Sequence, residues 1–354
     1  MHGIDPLKPG SLLAGRYRIG EPLGNGGMSF VHRGTDEVLG REVAVKALVQ
    51  AAVDTAEQQR VQSEIDLLAT LSHRALVTLF DAGSTVLDGR EVTYLVMELV
   101  DGPTLAERTA QEPLAPAEIR RMAMDLTEAL VVVHARGVVH RDIKPANILL
   151  APSPLPGQAF DAKLADFGIA AIVDAARVTA TGTVLGTAAY LSPEQATGAR
   201  VGPASDIYSL GLVLLETITG HREYPGSMLE SLVARHARDP DVPHAIDDDW
   251  ESLLTAMTAR EPDARPTAAQ VLERLAAAPE TAPVPLLDGD GAATAAAPAA
   301  AAAGTALLDA QPAAAAGAAA GPGAAAAGAA AAMPLGEDAA VDTKELAAAP
   351  ERRR

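Results

Sequence analysis

The chain has no cysteine in its 354 residues. A disulfide framework, a thiolate zinc site and a thiol nucleophile are therefore excluded. Positive charge is scarce as well: 28 Lys and Arg stand against 46 Asp and Glu, a formal net charge of -18. A nucleic-acid-binding surface needs a basic patch, and this balance argues against one. Long apolar runs are missing too. No stretch of about 18 uncharged residues rich in Leu, Ile, Val or Phe occurs, and the opening Met-His-Gly-Ile-Asp-Pro-Leu-Lys-Pro lacks an apolar core of signal-peptide length. No membrane segment is expected within the chain.

From 278 to 354 large side chains become rare, and aromatic residues disappear. The stretches Ala295–Ala303 and Ala313–Ala332 imitate apolar spans. Alanine is only weakly apolar, however, and Pro298, Gly304, Pro312, Gly317, Gly321, Pro322 and Gly323 interrupt any long helix. This composition predicts a disordered tail with transient helix. The closing Arg352–Arg354 reads in two ways: as an ordinary basic tail, or as the cytoplasmic flank of a membrane helix beyond it.

The remaining sequence carries chemistry. Val138 to Leu149 reads V-V-H-R-D-I-K-P-A-N-I-L. A carboxylate (Asp142) is followed two residues later by an amine (Lys144) and five residues later by an amide (Asn147). Phosphoryl transfer uses such groups: a carboxylate to orient an attacking hydroxyl, an ammonium to neutralise phosphoryl oxygens, and an amide oxygen to help hold a magnesium ion. Upstream, Leu23-Gly24-Asn25-Gly26-Gly27-Met28-Ser29-Phe30-Val31 is glycine-rich. Glycine lets a backbone approach phosphates closely, although alone such a string is commonly only a hairpin turn. Val43-Ala-Val-Lys46 is an alternating strand ending in a lysine. Residues 54–71 read as an amphipathic helix, with Val61, Ile65, Leu68 and Leu71 at helical spacing and Glu64 among them. Downstream come Leu164-Ala-Asp-Phe-Gly168 and Gly186-Thr-Ala-Ala-Tyr-Leu-Ser-Pro-Glu194.

Taken in order, these motifs resemble the signature set of protein kinases. The resemblance covers Arg16 to about Ala277. The strings L-G-N-G-G-M-S, H-R-D-I-K-P-A-N, D-F-G-I-A and G-T-A-A-Y-L-S-P-E-Q are most similar to eukaryotic-type (Hanks-type) bacterial serine/threonine kinases of the actinobacterial receptor group. Two positions depart from the family pattern: Ser29 replaces the third loop glycine, and Ser192 replaces the Ala of A-P-E. Neither falls on a reacting group.

The resemblance implies an α+β bilobal fold. A β-rich small lobe with one helix (16–97) would lead through a hinge (98–101) to a mainly helical large lobe (102–277), with an N-terminal extension at 1–15 and the tail at 278–354. Ile119, Met122, Ala123, Leu126, Ala129, Leu130 and Val133 make one apolar helical face in that large lobe, and Ser209 to Thr219 is apolar enough for a buried central helix.

The same resemblance assigns roles. ATP would lie under the glycine-rich loop, with Val31, Ala44 and Leu149 sandwiching adenine, Met97 as gatekeeper, and backbone groups of Glu98 and Val100 bonding the base. Lys46, fixed by Glu64, would orient the phosphates, and Asn147 and Asp166 would hold Mg2+. Asp142 would align the acceptor hydroxyl and Lys144 would stabilise the transferred group. Lys46 and Asp142 are both expected as accessible residues of the cleft. His140 is expected to pack beneath Phe167, Asp206 to anchor the catalytic-loop backbone, and Glu194 to pair with Arg265. Arg141 would meet a phosphate on Thr179 or Thr181. Protein Ser/Thr hydroxyls are the implied substrates, with a homodimer as the arrangement for autophosphorylation in trans. A cytoplasmic location follows, whether alone or as the cytoplasmic part of an anchored kinase. Two other readings stay open. A pseudokinase scaffold is disfavoured by the presence of Lys46, Asp142, Asn147 and Asp166. A small-molecule kinase is disfavoured by the activation segment ending in Ser-Pro-Glu.

Overall fold

Alternating apolar residues fold six segments between Leu12 and Glu98 into one antiparallel sheet. In the computed structural model its strands are β1 (Leu12–Leu13), β2 (Tyr17–Asn25), β3 (Ser29–Asp36), β4 (Arg41–Val49), β5 (Leu79–Leu87) and β6 (Arg90–Glu98), in the order β1-β2-β3-β4-β6-β5. The residues described are 5–25, 29–49, 63, 65–87, 89–167, 188–244, 246–277, 286–287 and 293–294.

Successive side chains of a strand point to opposite faces, so β4 and β6 each divide in two. Val43, Val45 and Ala47 of β4 join Val92, Tyr94 and Val96 of β6 in a cluster with Tyr17 and Ile19. The intervening Leu48 and Leu95 face the other way and pack with Ile65, Leu68 and Leu71, where residues 65–69 are helical. The first cluster is completed from the N-terminus by Leu7 and Leu13, each 3% exposed. Gly10 N–H donates to Ile19 O at 2.7 Å, and Asp5 Oδ2 lies 2.7 Å from Nε2 of buried His32. The segment ahead of the first long strand is thus part of the sheet's packing.

The second lobe holds helices α1 (Leu105–Gln111), α2 (Pro116–Ala135), α3 (Pro193–Thr197), α4 (Pro203–Thr219), α5 (Met228–Ala237), α6 (Asp248–Met257) and α7 (Ala268–Ala277), with the hairpin β7 (Ile148–Pro152) and β8 (Phe160–Leu164). Helix α2 starts at a proline, which needs no N–H partner there. The Glu118 carboxylate caps its first turn by accepting the Ala115 N–H at 2.8 Å. The helix ends where Gly137 takes φ +72°, the usual left-handed stop. Its seven-residue apolar face is fully buried, as expected. Each of its five larger side chains stabilises by roughly 1.5–3 kcal/mol, so packing outweighs helix propensity here. Helix α4 is buried along almost its whole length, again as expected.

The β-rich lobe followed by a helical lobe is the fold the sequence implies. The expectation of a disordered tail falls mostly outside the described residues. Within that tail, β9 (Leu286–Leu287) pairs antiparallel with β10 (Ala293–Thr294).

Candidate active site

Asp206 sits at the start of α4, 1% exposed, and its carboxylate organises the loop that precedes β7. Oδ2 accepts the His140 N–H and faces His134 Nε2, both at 2.8 Å, and Oδ1 accepts the Arg141 N–H at 2.8 Å. These bonds hold Arg141 at φ +69°, a left-handed conformation that costs a non-glycine residue about 1–3 kcal/mol. The turn brings Asp142, Lys144 and Asn147 together. Lys144 Nζ is 2.8 Å from Asp142 Oδ2, and Asn147 Nδ2 donates to Asp142 O at 2.8 Å and to Oδ2 at 2.9 Å. Asp142 Oδ1 is buried, and among the described residues no donor bonds it. A buried acceptor without a donor is costly, so this oxygen is suited to receive a hydroxyl proton from outside the protein.

The Asn147 amide nitrogen is committed to Asp142, which leaves its Oδ1 as a ligand-type oxygen. Across the site, Asp166 has φ +58°, and its Oδ1 lies 2.6 Å from Lys46 Nζ. Burial raises the Asp166 carboxyl, but the Lys46 charge and hydrogen bond outweigh it and hold the group below the usual carboxylate range. An ionised carboxylate and an amide oxygen suit magnesium, which takes one or two protein oxygens and completes its shell with phosphates and water. Among the described residues no cluster of three or more His, Asp or Glu forms a separate metal site.

Lys46 is 7% exposed, which corrects the expectation of an accessible cleft lysine. The reason is its place on β4: it points into the space between sheet and second lobe, where a pocket is lined by Lys46, Leu68, Leu79, Met97, Asp166 and Phe167. Asp142 stays partly accessible, its side chain 23% exposed. His140 lies under Phe167, with ring centroids 4.6 Å apart. Its Nδ1 accepts the Asp142 N–H at 3.3 Å, so the proton belongs on Nε2, which donates to Ala165 O at 3.1 Å. Burial pushes the pKa of this imidazole down, in keeping with that neutral form. The ring is a spacer between two motifs.

The nucleotide end is built from the sheet. Gly24 and Asn25 on β2 pair with Val31 and Phe30 on β3, and Val31 lies beside Lys46 on β4. Ser29 pairs with Leu48, and Ala44, 8% exposed, lies opposite Met97. Leu23, 45% exposed, precedes them on β2. Glu98 donates its N–H to Thr78 O at 2.9 Å, which leaves the carbonyl as its backbone group for a base. Its side chain receives Lys163 Nζ at 2.8 Å. Val100 is half-buried in the link that follows, and Leu149 bridges to Thr104. Gly102 passes so close to β7 that a Cβ there would lie 2.0 Å from Leu150 O. Gly26, Gly27, Met28, Glu64, Thr179 and Thr181 lie outside the described residues, and Arg141 is exposed at the loop surface.

Further contacts tie the activation segment's end to the lobe. Arg265 donates twice to Glu194, at 2.7 and 2.9 Å, as the sequence reading expects, and Ser205 Oγ adds a bond at 2.6 Å. Sequence reasoning did not find Gln195, whose Nε2 donates to Arg141 O at 2.9 Å, nor Gly102 or Lys163. No local pattern announces them, because each acts across a long sequence separation.

This geometry belongs to a known family. Residues 17–275 match the protein kinase domain, and the chain belongs to that family, within its Hanks-type bacterial serine/threonine branch. It is 38% identical over 291 residues to the serine/threonine-protein kinase PknB of Mycobacterium leprae, an alignment covering 78% of this chain and 46% of that protein. It is 39% identical over 266 residues to PknL of Mycobacterium bovis, covering 73% of this chain and 64% of PknL. Against PknA of Mycobacterium tuberculosis the identity is 42% over 243 residues, covering 66% of this chain and 54% of PknA. The chain thus spans about half to two thirds of the length of these relatives. Among the described residues no helix is long and apolar enough to cross a membrane.

Proposed function

We propose that this chain is an active serine/threonine protein kinase, transferring the ATP γ-phosphoryl group to protein Ser and Thr hydroxyls. The observation that carries this reading is the presence in one cleft of two ion pairs, Lys46–Asp166 and Lys144–Asp142, with an Asp142 Oδ1 that no described residue bonds. A small-molecule kinase or an inert scaffold gives no reason for that arrangement together with an anchored Ser-Pro-Glu segment.

The chain's own residues would act mainly by position and charge. Lys46 neutralises phosphate oxygens at the nucleotide end. Asp142 orients the acceptor hydroxyl and takes its proton as the oxygen attacks the γ-phosphorus. The bond to the β–γ bridging oxygen breaks, and ADP leaves with that oxygen. Lys144 compensates charge on the transferred group. Asp166 and Asn147 Oδ1 would hold Mg2+, which supplies further charge neutralisation on the phosphates when bound. Val31, Ala44 and Leu149 would sandwich the adenine, and the Glu98 carbonyl and a Val100 backbone group would bond its edge. Glu64 would fix Lys46. Arg141 would pair with phosphate on Thr179 or Thr181, added in trans within a homodimer. With ATP as donor, the domain works in the cytoplasm, alone or on the inner side of a membrane anchor.

Incubation of the purified chain with labelled Mg-ATP and a generic protein substrate tests the reading. Transfer is expected, and Lys46→Met and Asp142→Asn should each reduce it by about 10²–10³ or more. Nucleotide binding without transfer would make the chain a scaffold.

A further inference from the structure

The peptide unit joining Arg141 to Asp142 is held at both of its polar atoms. Its N–H, on Asp142, donates to His140 Nδ1 at 3.3 Å. Its carbonyl, on Arg141, accepts from Gln195 Nε2 at 2.9 Å. A peptide group is planar, so any rotation of that carbonyl swings the Asp142 Cα–Cβ bond and moves the carboxylate. Arg141 is also strained at φ +69°, a conformation that tends to relax if released.

Gln195 lies on α3, immediately after Glu194, whose carboxylate grips Arg265. Its amide orientation is set by partners. Oε1 accepts from Ser192 N at 2.9 Å and from Ser192 Oγ at 3.1 Å, so the donor nitrogen must face Arg141. The Ser192–Gln195 pair is a capping box, and such a box uses only the acceptor oxygen of its third residue; Glu would serve it equally. The cap therefore leaves the amide nitrogen unexplained, and the Arg141 carbonyl explains it.

We propose that Gln195 is a positioning residue for Asp142: its side-chain amide links the anchored end of the activation segment to the proton-accepting carboxylate. The proposal rests on the kinase reading above. Through this link, a displacement of α3 reaches the reacting group without any change at the nucleotide end.

Gln195→Glu tests it. The variant keeps the cap and sets a carboxylate oxygen against the Arg141 carbonyl. The expected result in the full chain is a fall in kcat of about tenfold or more, with KM for ATP within about twofold of wild type. Its melting temperature should stay near wild type. Ser192→Ala is the counterpart: it removes the cap hydroxyl but keeps the Ser192 N–H that fixes Gln195 Oε1, so it should lower the melting temperature and leave kcat within about twofold. Hydrogen exchange over residues 138–147 reads the same link without catalysis, and should quicken in Gln195→Glu but not in Ser192→Ala. Wild-type kcat and exchange in Gln195→Glu would overturn the proposal. So would equal losses of kcat and of protection in Ser192→Ala. If the wild-type chain transferred no phosphate at all, the kinase reading would fall, and the exchange comparison would still decide the link.

Discussion

Replacing Asp206 with Asn removes one of the two oxygens that organise the catalytic loop. The carboxylate faces the His140 and Arg141 N–H groups and His134 Nε2, all at 2.8 Å. An Asn side chain can keep one oxygen in place, but it then turns an NH2 group toward at least one of these nitrogens. If the oxygen stays where Oδ2 was, the Arg141 N–H loses its acceptor. A hydrogen bond to a charged group contributes about 1.5–3 kcal/mol, and leaving a buried donor unsatisfied adds a comparable cost. The expected loss of stability is therefore roughly 3–5 kcal/mol. For a domain of this size that corresponds to a fall of roughly 6–20 °C in melting temperature. The strain at Arg141 then loses one of its restraints, so phosphate transfer should fall further than stability alone accounts for. Thermal melts followed by circular dichroism, together with initial rates measured well below the variant's transition, check both parts. An Asp206→Asn chain that melts within about 2 °C of wild type and transfers phosphate at the normal rate would refute the reasoning.

Three other outcomes follow from the geometry. Gly102→Ala should lower the melting temperature and raise KM for ATP, because its Cβ would meet Leu150 O at 2.0 Å and must displace the link that follows β6; overpacking of this kind costs about 1–3 kcal/mol or more. The Asp36 carboxyl is held at about 2 by its hydrogen bonds from Arg16, against 3.8 ordinarily. Its folded value lies below its unfolded one, so its stabilisation is complete above about pH 4 and is lost as pH falls toward 2. The melting-temperature gap between wild type and Asp36→Asn should narrow across that window, and a gap that widens toward low pH would contradict the assignment. Finally, mass spectrometry after incubation with Mg-ATP should find phosphate first on Thr179 and Thr181, and replacing both with Ala should lower transfer several-fold; a fully active chain unmodified at both would remove the proposed switch.

Much of the architecture could be read before any coordinates because its signals are local. Val43, Val45 and Ala47 alternate as a strand must, and Ile119 to Val133 repeat as a helix face must. The reactive groups also fall within short strings: Asp142, Lys144 and Asn147 lie within six positions and are brought together by one turn. What stayed hidden depends on chain separation. Gln195 is 54 residues from Arg141, and Lys163 is 65 from Glu98. No periodicity links such pairs; they meet only once α3 and β8 are docked. The burial of Lys46 is hidden from the sequence for the same reason. Its strand pattern is plain, but the second layer over that face comes from distant residues such as Leu68 and Phe167.

Residues 5–13 have a consequence for how this lobe meets other copies of itself. An open sheet edge invites any passing strand to pair with it, and short edge strands blunt that hazard. Here one edge is β1, only two residues long, laid along the nine-residue β2. Behind it, Leu7 and Leu13 cover Tyr17 and Ile19, and the Asp5–His32 contact pins the approach. A chain shortened to the limits of the kinase family match, beginning at Tyr17, would uncover a long edge and two large apolar side chains together. Such a chain could keep every reacting group and still be lost to self-association, so the choice of first residue decides solubility as much as the core does.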